Sequence, residues 1–268
     1  MSLTTILLPL VGFLIGVLTA IMGGGGGIFY VGILTAGFHI PGQIAAATSL
    51  ATIIPTTAVA SLSHWRTGNV RAALAGWMIA GGVIGAVLGS LVSTVLPVAL
   101  YARIFGVFML VMGVQMAITG RRRGRDASRS RAVRGGSGDD DTGERVVRRG
   151  PAIGYGTLGG LMSGLLGVSG TPPILSGLVL LGCTATEVVG TSVLVLFGIS
   201  TVGFLSHLGL GDVNWTLVLE LAIGTVTGAF VGPRLMRRIP RSALEAVYGP
   251  FFLIMTLGMG LVLLIRGA

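Results

Sequence analysis

The chain has 268 residues, 52% of them hydrophobic and only 10% charged, with a mean hydropathy of +0.91. Soluble domains carry about 25% charged residues, so these values exclude a water-soluble globular protein and point to a polytopic membrane protein. The formal net charge of +9 rests on arginine alone, and ten of the 18 arginines fall in residues 121–149, a distribution that argues against a nucleic-acid-binding surface.

The first apolar segment, 3–22, has no charged residues ahead of it and no A-x-A site before the glycines, so no cleavable signal peptide is expected. Five glycines follow, in the stretch "AIMGGGGGIFYVG" (20–32). Each glycine costs a helix roughly 1 kcal/mol relative to alanine. A linker in water would be polar, whereas apolar residues flank this run on both sides. Non-helical backbone at membrane depth is tolerated only where it is buried in protein or lines a cavity. The next segment, 28–38, has 11 residues. It would rise about 16 Å, half a bilayer. Full-length segments are expected at 43–64, 71–96 and 98–119.

Residues 121–149 carry ten arginines and five acids, a net +5 among Gly, Ser and Asp. This composition suits a connector without a core of its own. Beyond it the pattern repeats: 151–168, a break at Ser169-Gly170-Thr171, a short segment at 173–183 opening on Pro172-Pro173, then 186–207, 214–236 and 242–265.

The second set matches the first without a gap. "SLSHWRTGNV" (61–70) aligns with "FLSHLGLGDV" (204–213), an offset of 143. The same offset pairs Thr48-Ser49 with Thr191-Ser192, Gly81 with Gly224, Gly85-Ala86 with Gly228-Ala229, Gly89 with Gly232, and Gly24 and Gly27 with Gly167 and Gly170. One register held over so many positions indicates a tandem duplication. The expected organisation is a first transmembrane repeat (1–120), an Arg-rich cytoplasmic linker (121–150) and a second transmembrane repeat (151–268).

Arginine placement orients the segments. With the linker and "RLMRRIPR" (234–241) inside, loop 65–70 is cytoplasmic and loop 208–213 lies outside. Corresponding loops then face opposite sides. The expected fold is all-α, with two inverted-topology repeats. Each repeat is a glycine-broken helical hairpin followed by three transmembrane helices.

Inverted-repeat transporters place their substrate at broken helices near the midplane. Unpaired amides at a half-helix start carry partial positive charge and suit an anion. The substrate-binding candidates are therefore Gly24, Gly25, Gly26 and Gly27 at the first break and Ser169, Gly170 and Thr171 at the second, with the duplicated hydroxyls Thr48, Ser49, Thr191 and Ser192. Alanine at Gly26 or Gly170 is expected to weaken anion binding about tenfold or more while leaving expression near wild type. The glycines at 81–89 and 224–232 read instead as close helix packing. Candidates for proton coupling are Glu220, about six residues into its helix, and His64 and His207 at their helix ends. The competing reading of both histidines is a capping role at a helix C-terminus. Glu187 and Glu245 sit in first helical turns, where the dipole favours them.

No HExxH motif, carboxylate pair at helical spacing or G-x-S-x-G elbow is present, which argues against an intramembrane enzyme. No metal or cofactor motif is read, and the single cysteine, Cys183, excludes an intramolecular disulfide. The expected partners are a small anionic substrate and the lipid bilayer, not nucleic acid, and a homodimer stays open.

Two halves that each carry a glycine-rich break, a Thr-Ser dipeptide and a Gly-x-Val loop (Gly68-Asn69-Val70 and Gly211-Asp212-Val213) resemble the sulfite exporter TauE/SafE family. The resemblance covers both hydrophobic halves and not the linker. It implies a secondary transporter in the bacterial inner membrane that exports sulfite, an organosulfonate or a related small sulfur-containing anion. One departure stands out: the family's break is usually followed by a proline, and the first break here has Phe29-Tyr30 instead. Transport of an uncharged or cationic solute, including a metal cation, is the alternative.

Overall fold

The computed structural model describes residues 3–22, 24–38, 40–97, 99–114, 148–208 and 213–236, and short helical stretches between 253 and 265. Among these residues all regular structure is helical. The linker 121–147, most of loop 208–213, most of segment 242–265 and Glu245 lie outside the described residues.

Among the described residues up to 236 the α-helices are, in order, α1 (Leu3–Met22), α2 (Gly27–Gly32), α3 (Gly42–Arg66), α4 (Ala72–Val95), α5 (Ala99–Val114), α6 (Arg149–Leu166), α7 (Thr171–Leu180), α8 (Ala185–Leu208) and α9 (Trp215–Met236). Helices α3, α4, α8 and α9 are each long and apolar enough to cross a membrane. Helix α7 has 10 residues, a rise of about 15 Å. It starts on glycine in the left-handed region (Gly170, φ 61) and stops on another (Gly182, φ 78), a conformation that costs any residue with a Cβ.

The segment expected as one half-helix at 28–38 is two pieces. Helix α2 widens into a π-helical stretch, Ile33–Gly37. The Thr35 hydroxyl donates to the carbonyls of Val31 (2.7 Å) and Gly32 (3.3 Å). The backbone then closes a wider turn, with Phe38 N–H donating to Ile33 O at 3.3 Å. Such single π turns are rare and recur at functional sites.

Helix α3 is the centre of the bundle: 72% of its most apolar stretch is buried, against 44% for α4 and for α9. Outer helices turn apolar rows outward, Ile84, Leu88, Leu91 and Val95 on α4 and Leu219, Ile223 and Phe230 on α9. Contiguous exposed rows of this kind suit lipid, not water.

Glycine seams fix the helix pairs. On α6, Gly156, Gly160 and Gly164 lie against the carbonyls of Met78, Gly82 and Ala86 on α4. Residue numbers rise together, so α4 and α6 run parallel. Helices α1 and α9 are likewise parallel: Gly224, Gly228 and Gly232 lie against the carbonyls of Pro9, Phe13 and Val17. The packing role expected for the glycines at 81–89 and 224–232 is therefore what the structure contains. At one end of the α4–α6 pair the Arg149 guanidinium stacks 5.0 Å above the Trp77 ring, a cation–π contact. Helices α3 and α8 run antiparallel, since Leu50 meets Gly203 while Asn69 meets Gly190. Helix α5 is antiparallel to the last helical stretch, with Gly113 against Thr256 and Gly260 against Gly106.

Candidate functional site

Helix α1 ends at the first glycine run and α6 at Gly167, which is left-handed (φ 68) and donates its N–H to Ser163 O at 2.8 Å. Beyond Gly167 the chain is left-handed again at Ser169 (φ 60) and Gly170 (φ 61) before α7 begins. Gly26 (φ 70) does the same work ahead of α2.

The two breaks touch. Gly25 N–H donates to Thr171 Oγ1 at 3.3 Å, across 146 residues of chain. A Cβ on Gly25 would collide with the Ser169 hydroxymethyl group, and one on Gly27 would lie 2.8 Å from Gly167 O and the Val168 backbone. From α3, Ser49 Oγ donates to Gly167 O at 2.9 Å and lies 3.5 Å from Gly27 O, so one hydroxyl ties both breaks together. Ser169 and Ser49 are fully buried, while Gly24, Gly26 and Thr171 are partly exposed. Gly24 to Gly27, Ser169 to Thr171 and Ser49 thus form one small polar locus walled by apolar helices.

The other candidate hydroxyls hydrogen-bond elsewhere. Thr48 Oγ1 accepts from Asn214 N–H at 3.3 Å and Thr191 Oγ1 from Arg71 N–H at 3.0 Å. Asn214 and Arg71 precede α9 and α4, so each threonine supports the first turn of a helix in the opposite half. Ser192 Oγ donates to Val189 O at 2.9 Å in its own helix, the back-bonding common for serine in apolar helices. The Thr-Ser dipeptides are therefore equivalent at threonine.

Both histidines stand in the last turn of their helices, and each Nε2 bonds a carbonyl of another helix. Both are buried, at 9% and 2% exposure. His64 Nε2 lies 3.3 Å from Ala20 O and His207 Nε2 lies 2.8 Å from Gly164 O. A carbonyl only accepts, so each Nε2 carries the proton. Each histidine joins the end of one long helix to the last turns before a break. Glu220 is half-buried in the second turn of α9. Glu187 completes a capping box with Thr184, accepting from Thr184 N–H at 2.7 Å while Thr184 Oγ1 accepts from Glu187 N–H at 3.4 Å.

The glycines of the breaks are not equally replaceable. A Cβ on Gly170 would strike the Gly159 backbone, in a left-handed conformation that already disfavours alanine. Gly170→Ala is thus a folding variant, which corrects the expectation of normal expression. At Gly26 a Cβ would lie 2.9 Å from Ile15 Cγ2 and 3.0 Å from each of Thr19 Oγ1 and Tyr30 Oη. At Gly24 it would meet, among the described residues, only Thr171 Cγ2, at an ordinary 3.5 Å.

Sequence reading missed Tyr30 and the hydroxyls around it. On α3, Thr52 and Thr56 follow the expected Thr48 at steps of four residues, and all three are fully buried. A polar stripe of that spacing on a spanning helix is the signal that could have found them.

A family model described as Sulfite exporter TauE/SafE matches residues 8–259. Two proteins of Bacillus subtilis (strain 168) are similar along nearly their whole length. "Probable membrane transporter protein YdhB" is 28% identical over 90% of this chain and 94% of that protein. "Probable membrane transporter protein YunE" is 26% identical over 87% and 89%. A "Probable membrane transporter protein" of Xylella fastidiosa (strain Temecula1 / ATCC 700964) is 27% identical over 89% and 88%. No solved structure matches the chain.

Proposed function

The chain belongs to the sulfite exporter TauE/SafE family of membrane transporters and is not an enzyme, and from that premise we propose that it exports a small sulfur-containing anion, such as sulfite or an organosulfonate, by alternating access. The substrate is held where the two breaks meet. The observation that carries this reading is the contact of Gly25 with Thr171: two interrupted helices, far apart in sequence, open onto one polar locus inside an apolar bundle. Backbone amides at such helix interruptions suit an oxyanion. Flux into proteoliposomes, measured for sulfite, sulfate, taurine and a divalent metal cation, tests it. Sulfite or sulfonate flux above protein-free background is expected. Flux of the metal or of uncharged solutes alone would overturn it.

The proposed carrier is an inverted repeat of residues 1–120 and 151–268, joined by a cytoplasmic linker in a bacterial inner membrane. Exchanging the halves turns the α4–α6 pair into α9–α1, and both pairs are parallel glycine seams. Helices α3 and α8 exchange with each other and run antiparallel, as an axis in the membrane plane requires. The same directions make α2 and α7 the returning arms of hairpins that enter and leave on one face. A cysteine introduced at Thr67 should then be labelled from the cytoplasmic side only, and one at Asp212 from the opposite side only, in a chain carrying Cys183→Ser. Labelling of both from one side would contradict the inverted repeat.

A further inference from the structure

The two halves match in backbone at the breaks and differ in what surrounds them. Beside the first break stand the side chains of Thr19, Tyr30, Thr56 and Thr225, all buried. At the offset of 143, the positions equivalent to Thr19, Tyr30 and Thr56 hold Met162, Pro173 and Ile199, and that of Thr225 holds Gly82. None of these four has a side-chain hydrogen-bonding group. Pro172 and Pro173 also remove two backbone donors from the first turn of α7. These four hydroxyls therefore have no counterpart at the equivalent positions of the other half, whose break carries Ser169 and Thr171 instead.

Within that cluster the protons can be followed. Thr56 Oγ1 lies 2.9 Å from Thr52 O and 2.8 Å from Thr225 Oγ1, and Thr225 Oγ1 lies 3.3 Å from Ala222 O. Each threonine has one proton, and these neighbours take both. Tyr30 is different. It is fully buried, and its hydroxyl faces Thr56 and Thr225 yet meets no acceptor at hydrogen-bonding geometry. It stands 3.0 Å from the point a Cβ on Gly26 would occupy, beside the break. An unspent donor, held out of water at this place, is suited to an oxygen that arrives with a ligand.

We propose that Tyr30 is the side-chain donor that receives an oxygen of the transported anion, so that the substrate sits to the first-break side of the meeting point. The second break contributes Ser169 and Thr171 from the other side, stiffened by Pro172 and Pro173 at the start of α7. This rests on the anion reading given under Proposed function and specifies its donor.

Tyr30→Phe removes the hydroxyl and keeps the ring. Tyr101 supplies a control, since its hydroxyl is also buried without a partner but lies on α5, packed against Gly42. The affinities of purified wild type, Tyr30→Phe and Tyr101→Phe for sulfite and for taurine are measured together with the thermal stability of each free protein. The expected result for Tyr30→Phe is an affinity at least about tenfold weaker, the loss of one donor, with free-protein stability equal to or above wild type. Tyr101→Phe should bind as wild type does. Unchanged affinity in Tyr30→Phe would overturn the proposal, as would loss of its folded state, which would make the hydroxyl a structural group. If wild type binds neither probe, the anion reading itself falls, an outcome distinct from wild-type binding that survives in Tyr30→Phe.

Discussion

Leucine at Gly160 or at Gly228 is expected to eliminate nearly all folded protein. A Cβ at Gly160 would collide with Gly82 O and lie 2.8 Å from Ala86 N, and one at Gly228 would collide with Phe13 O and lie 2.8 Å from Val17 N. These neighbours are backbone, so no rotamer change can make room, and the helix pair must separate along its length. Overpacking a core by single methylenes costs about 1–3 kcal/mol, and leucine brings four carbons into each seam. Association of helices in lipid depends on close packing, since lipid tails are as apolar as the helices themselves. Folded yield, read by size-exclusion chromatography of detergent extracts, should fall about tenfold or more, as a loss of 1.4 kcal/mol or more implies. Gly76→Leu and Gly154→Leu provide the comparison, because none of the described residues lies within 4 Å of a Cβ at either position. Both should fold as wild type does. Equal yields in all four variants would show that the seams do not hold the bundle.

At the breaks the expected result is a division between glycines. Gly24→Ala should fold and bind the anion about tenfold or more weakly, because a methyl at the mouth of the locus holds an oxyanion away from charge-assisted bonds of about 1.5–3 kcal/mol each. The fold tolerates it: among the described residues the methyl would touch only Thr171 Cγ2, at 3.5 Å, and Gly24 is not left-handed. Gly170→Ala should instead lose folded protein, since it combines φ 61 with a collision against Gly159. Sulfite affinity and folded yield, measured on both variants, separate the two effects. A Gly24→Ala protein with wild-type affinity would place the anion elsewhere.

Much of this architecture was legible in the sequence because hydropathy and duplication are coarse, additive signals. Ten apolar segments, two of them short, and a register of 143 residues located every described helix to within a few residues. The packing role of the glycines at 81–89 and 224–232 was legible from their four-residue spacing, which puts small residues on one helix face. What escaped depends on partners remote in sequence. Thr48 and Thr191 looked like ligands because they repeat exactly, yet a helix start in the opposite half repeats too, and it supplies their amide donors. His64 and His207 looked interfacial because they stand near helix ends. Their carbonyl partners lie 44 and 43 residues away along the chain. Tyr30 was read only as a missing proline, because nothing in its local sequence shows that Thr56 and Thr225, from two other helices, will face it.

The most direct test of a single anion site between the two breaks is to locate a bound oxyanion. Selenite has the shape and charge pattern of sulfite and scatters X-rays anomalously. An anomalous difference map from crystals of the wild-type protein grown with selenite should show one selenium peak within hydrogen-bonding reach of both breaks, beside Gly24 to Gly26 and Thr171 and on the Tyr30 side. A peak at a site remote from the breaks, or a bound and occupied selenite touching only one of the two polypeptide segments, would contradict the account.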